Sequence, residues 1–371
     1  MHWSIPALAL LALAACSSGT SGDKNEAART ALVTGQAKSA SVAPATPPIV
    51  PPKPGTLKTF GDWAVGCDNI NVCTMASLGP EGGDFPPINL TVMRRAGPAG
   101  DIRVTLMPND GLAPKAAPTS VMIDGRLVGG TFAKGDTPTL SGDAARAIVA
   151  AMANGDGLEI HSATGDTLSG LSLKGASAAL RYIDAQQERA GTVTAIVAKG
   201  DKPASAVPAR PVMPQISAVV PIGTPFEPSA AMIADMRKQA QCDDSAVGDA
   251  ESHVIGSKAS MILIPCGSGA YNIMSAVFVA KDGRIAPARM DAPTGISPDD
   301  EQPSVPTMVN ASFDKGVLST YAKGRGLGDC GVTQQFVWDG AMLRLSDQAE
   351  MGECRGDPNY IRTWIAAVSR R

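Results

Sequence analysis

Six cysteines spaced along the chain constrain its fold more than any other feature. The sequence has seven Cys in 371 residues. Cys16 stands apart, because it closes Leu13-Ala14-Ala15-Cys16 directly after Ala7 to Leu13, a run made only of Ala and Leu. A small-residue site after a short apolar run reads as a secretory cleavage signal. In an exported chain the six that remain, Cys67, Cys73, Cys242, Cys266, Cys330 and Cys354, read as disulfides. Six cysteines permit many pairings. Sequence order favours Cys67–Cys73, Cys242–Cys266 and Cys330–Cys354, since each pair falls within one segment. Each bridge would contribute about 2–4 kcal/mol, the short first loop less. A zinc site is the rival, but no Cys-x-x-Cys and no paired His accompany these residues. No metal and no cofactor is expected.

Ile5 to Ala15 is too short to cross a bilayer, which needs about 20 apolar residues. A Cys in the first mature position resembles the lipobox of bacterial lipoproteins. That resemblance implies cleavage before Cys16 and its acylation with a diacylglycerol and an N-acyl chain. More than one chain gives firm anchoring. Ser17 follows, where an Asp in that family favours the inner membrane. The resemblance therefore points to an outer-membrane anchor facing the periplasm. Met1-His2-Trp3-Ser4 lacks the Lys or Arg usual ahead of such a run.

What remains after residues 1–15 suggests two domains at about 150 residues each. Residues 16–56 are rich in Ser, Ala and Thr, then in Pro (Pro44, Pro47, Pro48, Pro51, Pro52, Pro54). They read as a tether spanning on the order of 35 Å. An α+β domain is expected over 57–200, a Pro-rich linker over 201–227, and a β-rich domain over 228–371. The fold class is α+β, mostly antiparallel β, with few helices. A net charge of -3 leaves no basic footprint for nucleic acid.

Apolar residues at Trp63, Val65 and Cys67 suit a half-buried strand, and Val72 to Met75 starts its return. Ile88 to Arg94 and Ile102 to Leu106 read as further strands. Asp124-Gly125 between apolar runs predicts a hairpin with a type I′ turn. Asp282-Gly283, Asp314-Lys315-Gly316 and Asp339-Gly340 predict three more, so the second domain should be an antiparallel meander. Helices are expected over 141–152, 172–190 and 228–240, the last capped by Ser229, and over Asn359 to Val368. Thr192 to Ala198 is β-branched and reads as a strand. His161 falls in a strand and His253 in a loop, neither with a second His at metal-ligand spacing.

Several segments together resemble a family of proteobacterial envelope proteins defined by a domain of unknown function, DUF1176. They are Phe60-Gly61-Asp62-Trp63 with Cys67-Asp68-Asn69 and Cys73, then Asp184, Gln187, Arg189, Gly191 and Thr192. Further on they are Gly324-Arg325-Gly326-Leu327-Gly328-Asp329-Cys330-Gly331, Trp338-Asp339-Gly340 and Cys354-Arg355-Gly356. The opening from Trp63 to Cys73 also resembles the invasion-associated locus B proteins. The resemblance implies an exported, disulfide-bonded protein and supplies no catalytic residue.

Gly175-Ala176-Ser177-Ala178-Ala179 has Ala where a nucleophile elbow needs Gly. Gly324 to Gly328 lacks the Lys-Ser/Thr of a phosphate loop. Its glycines fit a close-packed turn instead. Arg325 and Arg355 flank the expected Cys330–Cys354 bridge, with Asp329 between them. One reading pairs Arg with Asp to stabilise the turn. The other is an exposed Arg pair that grips an anionic group, since guanidinium matches carboxylate and phosphate. No catalytic residue is assigned. The function expected is a non-enzymatic binding or scaffolding module of the envelope, with an envelope protein or peptidoglycan as partner. An inhibitor of the cell-wall machinery, or an enzyme acting on the wall, is the alternative.

Overall fold

Aspartate–glycine corners shape much of the molecule. In the computed structural model, Asp124 and Gly125 have φ of +48° and +74°, and Asp282 and Gly283 +50° and +77°. These are the paired positive values a type I′ hairpin needs. Asp339-Gly340 turns differently. The Asp339 carboxylate accepts the Ala341 and Met342 N–H groups, both at 2.8 Å, and the return strand begins only at Leu343. The structure describes residues 50–82, 85–133, 135–243, 246, 248–295 and 304–371. The expected signal over 1–15, the Cys16 anchor and the tether up to residue 49 lie outside them. Residues 50–371 form one compact unit.

The fold is α+β and mostly antiparallel β. Six strands form the first sheet, in the order Lys58–Phe60, Trp63–Cys67, Cys73–Ser77, Ile88–Arg94, Ile102–Pro108 and Thr139–Ser141. Thr167–Ser172, Gly157–Ser162, Pro118–Ile123 and Arg126–Val128 form a second sheet. Helices α1 (Gly142–Met152) and α2 (Ala176–Gln186) bury Ile148, Val149, Leu180 and Ile183 in the core these sheets share. The third helix, α3 (Ala230–Gln239), starts at Ser229, whose Oγ accepts the Met232 N–H. It packs on a sheet built around Ala259–Ser268 and Ile273–Lys281. Ser312–Asp314, Val317–Lys323, Gly331–Trp338, Leu343–Met351 and Ile361–Ile365 then follow as a meander in chain order.

Four local expectations are corrected. Asn359 to Val368 is not a helix: it holds the strands Ile361–Ile365 and Ala367–Arg370. The first pairs with Leu343–Met351, and the second runs parallel to Gln215–Ala218. Apolar residues at Ile361, Trp364, Ile365 and Val368 mimic helical spacing, but two open sheet edges claim the backbone. Thr192 to Ala198 is irregular rather than a strand, because Asp184 takes its N–H groups, as described below. His253 lies in the strand Glu251–Gly256, against the Phe313 ring. The strand Trp63–Cys67 is buried on both faces, not one. Trp63 and Val65 face the core of the first two sheets, while Ala64 meets Ala76, Leu78, Met351 and Ile361. The C-terminal meander covers the side that alternation left for solvent.

Candidate functional site

The three local cysteine pairs are bonded: Cys67–Cys73, Cys242–Cys266 and Cys330–Cys354. The last pins the loop Gly324 to Gly331 onto the segment Cys354 to Tyr360. Glycine is required at Gly331, whose φ is +138° and where any Cβ would strike the Ala322 carbonyl oxygen. At Gly324 a Cβ would meet the Cys330 sulfur. The loop is thus a close-packed lid on a disulfide.

Both predicted arginines sit beside this bridge, and both are occupied. Arg325 donates from Nε and Nη2 to the two Asp329 carboxylate oxygens, at 2.7 and 2.5 Å, and lies over the Phe85 ring. Asp329 also accepts the Gly356 N–H at 2.7 Å. Burial pushes the Asp329 carboxyl up, but Arg325 and the Gly356 N–H outweigh it and hold the group below its ordinary value. Arg355 does not join this pair. It reaches across to the first sheet, donating to Asp62 Oδ1 and to the Gly79 and Gly61 carbonyls. The two arginines therefore lock the turn and weld the C-terminal meander to the N-terminal sheet. Asn69 adds a two-way bond to the Ile365 backbone, and Asn109 donates to the Gly356 carbonyl.

Asp357 lies at the centre of this weld and is fully buried. Its Oδ1 accepts from the Asn359 N–H and Nδ2, while Oδ2 has no partner. Burial raises its pKa to about 7, with Asp329 adding to the rise. A carboxyl with a raised pKa is an acid–base candidate in a cleft. Here it is sealed from solvent.

The same end of the sheet presents apolar side chains outward. Tyr271 donates to the Gly324 carbonyl and borders Gly326, next to Leu327. Leu327 is 67% exposed, and Tyr271, Ile273 and Met274 are exposed with it.

A second arginine pair, missed by sequence reasoning, lies near the end of α2. Arg94 ends the strand Ile88–Arg94, in phase with Leu90 and Val92, and is only 5% exposed. Its Nη2 donates to the Thr194 carbonyl at 3.0 Å, and its Nε has no acceptor. Arg189 is fully buried. Its Nε donates to Gln187, its Nη1 to Thr194 Oγ1, and its Nη2 to the Arg95 and Gly97 carbonyls. Asp184 accepts the Ile196, Val197 and Ala198 N–H groups at 2.8, 2.8 and 3.1 Å. Among the described residues neither arginine has a carboxylate within ion-pair distance. Burial lowers the pKa of Arg94 to about 10, with Arg189 adding to the fall and Asp184 opposing it. The signal was in the strand pattern: a period of two places Arg94 on the core face.

A family model described as a protein of unknown function, DUF1176, matches residues 57–369. The chain belongs to the DUF1176 family. It is 28% identical over 335 residues to the uncharacterized protein YpfG of Escherichia coli strain K12, covering 83% of this chain and 92% of that one. The crystal structure of invasion associated protein b from Bartonella henselae aligns with 36% of this chain and 99% of its own. The identity there is 19% and the TM-score 0.27, too slight to argue from. Asp184, Gln187 and Arg189 build the α2 network, and Arg325, Asp329, Cys330, Cys354 and Arg355 build the weld.

Proposed function

We propose that this DUF1176 chain is a cell-envelope lipoprotein, anchored through Cys16 in the outer membrane and facing the periplasm, that works as a non-enzymatic protein-binding module. The observation that carries the binding role is the exposed apolar group of Leu327, Tyr271, Ile273 and Met274. Leu327 stands on a loop held by a disulfide and a bidentate Arg–Asp pair, and Tyr271, just ahead of the strand Ile273–Lys281, is bonded to that loop at the Gly324 carbonyl. Apolar side chains on a preorganised surface bind with little ordering cost. Arg325 and Arg355 support that surface rather than gripping an anion, since both are already paired.

The test is retention of envelope proteins by the full chain, compared with a Leu327→Asp, Ile273→Asp double variant. A specific protein held by the wild type and lost by the folded variant supports the reading. Equal retention by both ends it. Labelling with a palmitate analogue checks the anchor separately: Cys16→Ser should abolish incorporation, and persistent labelling would contradict the assignment.

A further inference from the structure

Arg94 and Thr194, at one edge of the network at the end of α2, line a cavity of about 340 Å³. That lies within the range of small-ligand sites, about 300–1,000 Å³. Its charge is one-sided. Arg94 lies at the floor, and Arg146 and Lys199 stand exposed at the rim, while no carboxylate is among the described residues lining it. Apolar walls come from Ile102, Val149 and Ile196.

Each part has a local cause. Arg146, Val149 and Ala150 stand at i, i+3 and i+4 on α1, so they share one stripe of the helix. Asp184 gathers three N–H groups of the loop that carries Thr194 to Ile196 and sets the opposite wall. Arg189 ties that loop to the segment Arg95 to Gly97 and so fixes the gap between them. Arg146 already touches Asp143, but that pair is exposed, at 55% and 98%, and holds it only weakly.

A buried guanidinium without a carboxylate is costly for a fold to keep. Half-buried arginines elsewhere are paired, Arg344 with Asp291 at 2.6 Å and Arg355 with Asp62, and the fully buried Arg189 fills its donors with chain oxygens, whereas Arg94 leaves Nε without an acceptor. At Arg94 no carboxylate is in ion-pair contact among the described residues, Asp184 acting on it only from further off, and there is room beside it. From this geometry we infer that the cavity binds a small organic anion, with a carboxylate head at the Arg94 floor under Arg146 and Lys199 and an aliphatic body along Ile102, Val149 and Ile196. The site is independent of the apolar surface around Leu327.

Hexanoate is a suitable probe, with 1-hexanol and inorganic phosphate as controls, titrated calorimetrically into the full chain in a non-ionic detergent. Hexanoate should bind saturably. Hexanol should bind roughly tenfold or more weakly, the loss expected for a missing charged hydrogen bond. The double variant Arg146→Ala, Lys199→Ala leaves the buried network intact and should weaken hexanoate by a similar factor. Three results would overturn the proposal: no hexanoate binding, equal binding of hexanol, or unchanged affinity in the rim variant. Phosphate binding more tightly than hexanoate would overturn the carboxylate assignment.

Discussion

Two arginine pairs in one molecule are treated in opposite ways. Around Cys330–Cys354, Arg325 and Arg355 each have an aspartate, and the result is a weld between two parts of the fold. At the end of α2, Arg94 and Arg189 have carbonyls, an amide oxygen and a hydroxyl but no aspartate in ion-pair contact, and the result borders a cavity. The difference teaches that an arginine's place in a sequence motif does not reveal its role. What decides is whether the fold itself supplies the counter-charge. A paired cation holds structure, and a buried one with no ion-pair contact beside open volume is poised for a ligand.

The largest effect should come from stripping the weld. Asp329→Ala removes both oxygens held by Arg325 and the acceptor of the Gly356 N–H. Asp329 is buried while Arg325 is 37% exposed, and losing three hydrogen bonds to this charged group costs about 3 kcal/mol. Denaturant unfolding should show that loss, and a loss below about 1 kcal/mol would undo the contrast. Replacing Cys330 and Cys354 with Ser should cost about 3 kcal/mol, against roughly 2 kcal/mol for Cys67 and Cys73, whose loop is shorter.

The pH dependence sharpens the same contrast. Asp357 has a folded pKa of about 7 against an ordinary value of 3.8. Its raised value means the folded state holds the proton more tightly. Its stabilising contribution is full below pH 3.8 and is lost as pH rises through about 7. Asp329 is shifted the other way, so its contribution is lost only as pH falls below the ordinary carboxylate range. Asp357→Asn should flatten the decline of stability between about pH 4 and 7. An unchanged slope in the variant would show that another group drives it.

Smaller effects are expected at the cavity. Arg94→Met replaces a buried cation that has no ion-pair contact with an apolar chain of similar reach. Its stability should stay within about 1 kcal/mol of the wild type, or rise. A loss as large as that of Asp329→Ala would make Arg94 a structural residue. Arg146→Ala should be nearly silent, below about 0.5 kcal/mol, because its pair with Asp143 is exposed.

Much of this was legible along the chain, and the reasons differ by element. Asp124-Gly125 and Asp282-Gly283 announce their hairpins because few other residues accept two successive positive φ values. The cysteine pairs follow from segment order. Asn359 to Val368 misled, because its apolar spacing fits a helix equally well and only the partner strands decide. The double burial of Trp63–Cys67 needed the meander that covers it. Arg325 and Arg355 were found by sequence as a pair, but Asp62, the partner of Arg355, lies 293 residues away. Arg94 is within reach of strand alternation, but that its nearby carboxylate, Asp184, is bound to three backbone N–H groups rather than to it is visible only in the fold.

The most direct test of the central claim is equilibrium unfolding of the wild type and of Arg94→Met, each with and without saturating hexanoate. A ligand that binds only the folded state raises its stability by mass action. The account predicts that hexanoate raises the wild-type midpoint and leaves that of Arg94→Met unmoved. A rise of equal size in both, or in neither, would contradict it.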